Sequence, residues 1–227
     1  MMKKFLNLYF SPVEVFKQLS EKPDWVIPVI ITLVIILILT MVALPKVIIP
    51  EQSKRIMEME QLQEAQKERA LASLEGIRPY IQTPISVIIF TFLLIFAKAG
   101  IFFLIFSLFG SRTVFKKVLA VVSYSFLISI PESILKTAMM LMKGSTRVYT
   151  SLALFASNLG FKSPLFGLLS RIDIFTIWNL ILISLGFTVI YGIGKKKSFG
   201  VVFGCWILWL LIQFGIRFIL PKGLFFG

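Results

Sequence analysis

The chain is 227 residues long, 57% hydrophobic and formally +13, with no histidine and a single cysteine. A mean hydropathy of +0.90 excludes an ordinary water-soluble fold, which at this length would leave large apolar patches exposed. Without histidine, and with Cys205 alone, the chain lacks the usual ligands for zinc or haem, the usual base for a serine or cysteine nucleophile, and any intramolecular disulfide. The expectation is therefore a protein with no metal, no cofactor and no catalytic residue.

Residues 1–24 form a basic leader carrying Lys3, Lys4, Lys17 and Lys22. In Ser11-Pro12-Val13-Glu14 a serine precedes a proline suited to the first helical turn and an acid at capping-box spacing. A short helix is predicted from there to Pro23. Val13, Phe16 and Leu19 share one face, with Glu14, Lys17, Gln18 and Glu21 on the rest. Such a helix can lie in the headgroup layer or pack on its own bundle, and the pattern leaves both open. The charges and prolines ahead of the first apolar run, together with the length of that run, exclude a cleavable signal peptide.

Residues 25–44, 84–109, 118–142, 174–193 and 199–220 are each long and apolar enough to cross ~30 Å of hydrocarbon as a helix. Residues 25–227 thus read as a single, all-α, polytopic membrane domain with five transmembrane helices. Residues 45–83 form an outer loop, in which 51–75 holds no proline or glycine and predicts a helix of several turns. Ile56, Met59, Leu62, Leu71 and Leu74 mark its apolar face, and Glu51 with Arg55 and Glu64 with Lys67 stand at ion-pairing offsets. A solvated cap folded over the bundle is expected, with a partner-binding helix as the alternative. Pro131 frees a backbone carbonyl one turn earlier in the third span and predicts a kink there. Residues 143–171 contain an apolar stretch too short and broken for a sixth span, which suits an interfacial or re-entrant segment.

Orientation follows from the short linkers. Arg112, Lys116 and Lys117 lie between the second and third spans, Lys195, Lys196 and Lys197 between the fourth and fifth, and neither linker holds an acid. Unneutralised clusters of this kind stay on the cytoplasmic side, which places the N-terminus inside and the C-terminus outside. The positive charge then serves topology and contact with anionic lipid headgroups of the bilayer. Nucleic acid is not expected, because no basic patch is interleaved with stacking aromatics.

Ionisable residues inside hydrocarbon call for a functional hypothesis. Lys98 lies ~16 Å from the inner end of its span and Glu132 ~21 Å from the same side, at 1.5 Å per residue. Lys136 follows Glu132 at i+4, and Asp173 begins the fourth span. A network of Lys98, Glu132, Lys136 and Asp173 would bridge three helices, as structural glue or as a path for substrate or protons. Gly200 and Gly204 form a GxxxG pair, and Ser184, Gly186, Gly192 and Gly194 punctuate the fourth span, marking places for close helix packing.

Several of these features together resemble the Yip-domain family, related to Rab/Ypt-interacting membrane proteins, in its bacterial branch. They are the Ser-Pro followed by an aromatic helix, the Pro-x-Trp approach to the first span, Phe115-Lys116-Lys117-Val118 leading to Tyr124-Ser125 and Pro131, and Asp173-Ile174-Phe175-Thr176-Ile177-Trp178. The resemblance implies a five-span bundle in a bacterial plasma (inner) membrane. It also implies a non-enzymatic role as a scaffold or accessory in membrane transport, trafficking or protein assembly, with a membrane-protein partner or a second copy of the chain. GTPase binding does not carry over, since the long N-terminal region of eukaryotic members has no counterpart here. The alternative is a small permease or lipid-handling protein that uses the polar network.

Overall fold

The computed structural model describes residues 2–159 and 163–219, with side chains for all of these except 2, 3, 157, 158 and 216–219. Five helices are long and apolar enough to span a membrane: Val26–Met57, Phe115–Lys143, Ile174–Tyr191, Arg78–Leu108 and the fifth from Lys195. Among the described residues there is no strand element, only an isolated antiparallel bridge between Ser151 and Asp173. The third span is the hub: 56% of its apolar window is buried against 17% for the fifth, because it touches the first, second and fourth spans together. One end of the bundle carries the basic linkers and the other the two long loops.

Where the observed spans depart from expectation, proline is usually the reason. The first span does not stop at Leu44 but runs through Pro45 and Pro50 to Met57. A π-turn over Leu44–Ile48, closed by the Ile49 N–H on the Leu44 carbonyl, opens the helix enough to pass the missing proline donor. The second span begins at Arg78, with Pro79 in its first turn, and Pro84 lies inside the helix. The fourth ends at Tyr191 because Gly192 takes the left-handed conformation, φ +63°, that closes a helix.

The outer helix predicted over 51–75 is instead two pieces, the tail of the first span and a short helix Glu64–Ala72. Neither buries a residue, and the short helix makes its main contacts with that tail, so it does not fold over the bundle as a cap. Both expected ion pairs form, Arg55 to Glu51 at 2.5 Å and Lys67 to Glu64 at 2.9 Å. In the second loop a 3-10 segment Leu152–Leu159 packs on the short helix Pro164–Leu169, burying Ala153, Ala156 and Phe166. Neither element has the length of a sixth span.

The leader is built into the bundle. It forms α1 (Met2–Phe10), which the sequence did not announce, and α2 (Pro12–Glu21). Ser11 occupies the N-cap position with Pro12 behind it, but its side chain makes no capping bond. Leu8, Val15, Phe16 and Leu19 are essentially inaccessible, and α2 packs along the fourth span and against the third. Of the two readings of the leader, packing on the bundle is the one realised, with Glu14, Lys17, Gln18 and Glu21 left exposed.

Gly186 makes this packing possible. A Cβ there would overlap Val121 Cγ1 and come within 3.2 Å of Phe16 Cδ1, so hydrogen alone fits between the third span, the fourth span and α2. Ser184 is likewise fully buried, and its carbonyl accepts the Ser198 hydroxyl at 2.7 Å, tying the fourth span to the fifth. Gly200 and Gly204 behave differently from expectation. Among the described residues nothing outside their own stretch of helix lies within 4 Å of a Cβ at either one, so the GxxxG pair packs against none of the described helices. The fifth span meets the fourth along another face.

Candidate functional site

The third span is irregular at mid-depth, and that irregularity deprives two carbonyls of their i+4 donor. Phe126–Ile128 adopts a 3-10 turn in which the Ser129 N–H points to Leu127 O and Phe126 O, away from Ser125 O. Pro131 has no N–H to return to Leu127 O. A buried carbonyl that loses a donor is costly in an apolar medium, and both accept from side chains elsewhere in the chain. Asn179 Nδ2 donates to Ser125 O at 2.7 Å, and the Tyr9 hydroxyl donates to Leu127 O at 3.1 Å. The predicted kink site is thus where α1 attaches.

Aromatic contacts complete that attachment. The Tyr9 ring meets Trp178 edge-on at 5.8 Å, and Phe5 stacks on Tyr124 at 6.0 Å and 8°. Tyr124 and Trp178, singled out in the sequence by resemblance alone, and Pro131, read there also as a kink, therefore form much of the seat of the leader. Burial raises the Tyr9 phenol above its ordinary pKa, so it remains a donor throughout the neutral range. Tyr9→Phe should lower stability by ~1–2 kcal/mol, through the loss of one buried hydrogen bond. Thermal denaturation in detergent checks this. In a Pro131→Ala background, where the backbone can supply its own N–H, the same change should cost clearly less.

The expected four-residue network divides into two centres. Lys98 does not reach Glu132: its ammonium donates to Asn179 Oδ1 at 2.8 Å, and it has no acidic partner among the described residues. Measured from the basic ends of their spans, Lys98 lies ~15 Å deep and Glu132 ~25 Å deep, a separation no single contact bridges. The difference from the expected depths arises because the third span starts at Phe115, three residues before the predicted 118. The hydroxyls of Thr32 in the first span and of Ser123, Ser125 and Ser129 in the third are buried and unpartnered among the described residues.

Glu132, Lys136 and Asp173 do form a unit near the loop end. Lys136 pairs with Glu132 within its helix and lies 3.9 Å from Asp173 Oδ2. Asp173 is 5% exposed and fully engaged. Its Oδ1 caps the fourth span by accepting the Phe175 N–H at 2.8 Å, and its Oδ2 accepts the Thr150 hydroxyl. The ion pair therefore joins third span, fourth span and second loop. At the basic end, Lys197 Nζ approaches Phe109 O at 3.4 Å, a cation at the carbonyl terminus of the second span.

Five apolar spans joined by side-chain hydrogen bonds to backbone carbonyls and by an ion pair between the third and fourth define a multi-pass helical membrane protein. Among the described residues no three His, Cys, Asp or Glu side chains converge as metal ligands. The chain belongs to the Yip1 domain family, whose family model matches residues 6–217 and so takes in most of the inserted leader as well as the spans. No curated protein and no solved structure matches it.

Proposed function

We propose that this Yip1 family protein is a non-enzymatic scaffold or accessory of membrane transport, trafficking or protein assembly, working by lateral contact with other membrane proteins. The observation that carries this reading is the disposition of the intramembrane charges. Lys98 is held by Asn179, Lys136 and Asp173 link the third span to the fourth and, through Thr150, to the second loop, and Glu132 is paired with Lys136 in its own helix. A permease would need a hydrated route connecting such groups. The ~10 Å gap in depth between the two centres counts against a continuous one. The buried, unpartnered hydroxyls of the first and third spans are what a permease reading would build on.

In this reading the basic linkers lie in the cytoplasm against anionic headgroups, with the N-terminus inside and the C-terminus outside. Reporter fusions after Gly110 and Lys197 should give cytoplasmic signals, and a fusion after Gly76 an exterior one; an exterior signal after Lys197 reverses the assignment. For the role itself, photocrosslinking from exposed positions of the fifth span, such as Ile207 and Leu211, should capture specific membrane proteins from native membranes. Capture of lipid alone, together with solute flux through the purified protein in vesicles that Lys98→Met abolishes, would replace the scaffold with a permease.

A further inference from the structure

Near its basic end the bundle shows exposed apolar side chains on one flank and exposed charges on another, at the same level. Ring stacking fixes that level: Phe106 of the second span lies on Tyr191 of the fourth at 4.7 Å, and Phe102 and Phe106 both pack on Phe187. Ile101 stands five residues further into the second span, ~7.5 Å, and Gly186 five residues further into the fourth, so the two share a depth. Ile101 and Leu104 are 55% and 63% exposed, and Leu108, nearer the basic end, is more exposed still. Apolar surface of this extent requires hydrocarbon along the second span at least as far as Leu104.

The leader meets the bundle at that level and below it. Phe16, in the middle of α2, is the side chain that a Cβ on Gly186 would approach at 3.2 Å. The anchors on either side of α2 lie deeper. Tyr9 reaches Leu127 O and Trp178, and Trp25 meets Phe96 edge-on at 5.4 Å, ten residues or ~15 Å below Phe106. Between these anchors Glu14, Lys17, Gln18, Glu21 and Lys22 are exposed. Exposed large apolar side chains of the leader stand only beside the anchors: Leu6, Phe10 and, at the start of the first span, Val26. Charges facing hydrocarbon are costly, so water must reach Glu14, Lys17 and Glu21 at a depth where the second span still faces acyl chains. A flat bilayer surface cannot serve both flanks.

We infer that the protein indents the bilayer along its leader: beside α2 the headgroup layer of the basic-linker side dips by roughly 10 Å relative to the second-span flank, thinning the membrane locally. Water and lipid headgroups occupy the dip. The polar face offers the carboxylates of Glu14 and Glu21 and the ammonium groups of Lys17 and Lys22, charges of both signs that suit the amine and phosphate of a zwitterionic headgroup. Leu6, Phe10 and Val26 rest on acyl chains at its floor. The inference does not depend on the scaffold reading, since it concerns lipid alone.

The test uses the full chain with Cys205→Ser, one molecule per nanodisc of phosphatidylethanolamine and phosphatidylglycerol, carrying a single nitroxide spin label. Lys17→Cys and Glu21→Cys place the label on the polar face of α2, and Ile101→Cys and Leu104→Cys place it on the second span; all four positions are exposed. Gln18→Cys, a neutral position on the same face, stands in for either charged one if its loss disturbs folding. Collisions with a water-soluble nickel chelate should exceed those with oxygen on α2, and the order should reverse on the second span. The apparent depths of the two flanks should then differ by roughly 10 Å although their residues share a level. Oxygen dominating on α2 as well, or the chelate dominating at positions 101 and 104 as well, means a flat boundary and overturns the inference. Exclusion of both reagents from α2 means that protein covers this face, and overturns it equally.

Discussion

Asn179→Leu should be among the most damaging single polar substitutions in this protein, lowering stability by ~3 kcal/mol. The amide does two things at once: its oxygen holds the Lys98 ammonium and its nitrogen supplies the Ser125 carbonyl. Leucine removes both contacts at once in a low dielectric, leaving the Lys98 ammonium without its acceptor and Ser125 O without its side-chain donor. Lys98→Met in the same chain removes the stranded charge, so the double variant should recover a substantial part of the loss, short of the share owed to Ser125 O. Thermal denaturation of the purified protein measures each corner of this cycle. Additive losses would show that Lys98 and Asn179 are not coupled. The parallel cycle of Lys98→Met with Glu132→Gln should be additive, as expected of residues in separate centres.

Gly186→Ala should be comparably severe, at ~2–3 kcal/mol, although it adds a single methyl group. That methyl would occupy the position of Val121 Cγ1 and press on Phe16, at the junction of two spans and α2. Because the third and fourth spans cannot both keep their places, the strain should pass to the least anchored element, the leader. A probe is direct: a reporter cysteine on α1 should label faster in Gly186→Ala than in the parent. Val121→Ala removes the opposing methyl groups and should restore both stability and slow labelling in the double variant. Unchanged labelling in Gly186→Ala would mean that the leader is not held through this contact.

The intramembrane site was only partly legible beforehand. Glu132, Lys136 and Asp173 stood at offsets and depths that predict their association, and they associate. Lys98 was assigned to the wrong partner because a charge was sought for a charge. Asn179 carried a usable signal, as a lone amide in the fourth span ~18 Å from its Tyr191 end, close to the depth of Lys98. Tyr9 carried none: Pro131 marks the Leu127 carbonyl as lacking its i+4 donor, but nothing local says that a hydroxyl 118 residues away will reach it.

Local composition determined that this chain is a five-span helical membrane protein. Apolar length, helix-forming residues and unneutralised basic linkers are properties of contiguous segments, and the bilayer enforces internal hydrogen bonding on each of them separately. Tertiary structure decided where the leader goes, that Gly186 and not Gly200 or Gly204 mediates close approach, and that the polar residues form two centres. An amphipathic leader has the same periodicity whether it meets headgroups or a groove, and a glycine has the same lack of side chain on a packed face or an open one. Only the juxtaposition of distant segments distinguishes the cases, as when a hydroxyl at position 9 meets a carbonyl at position 127.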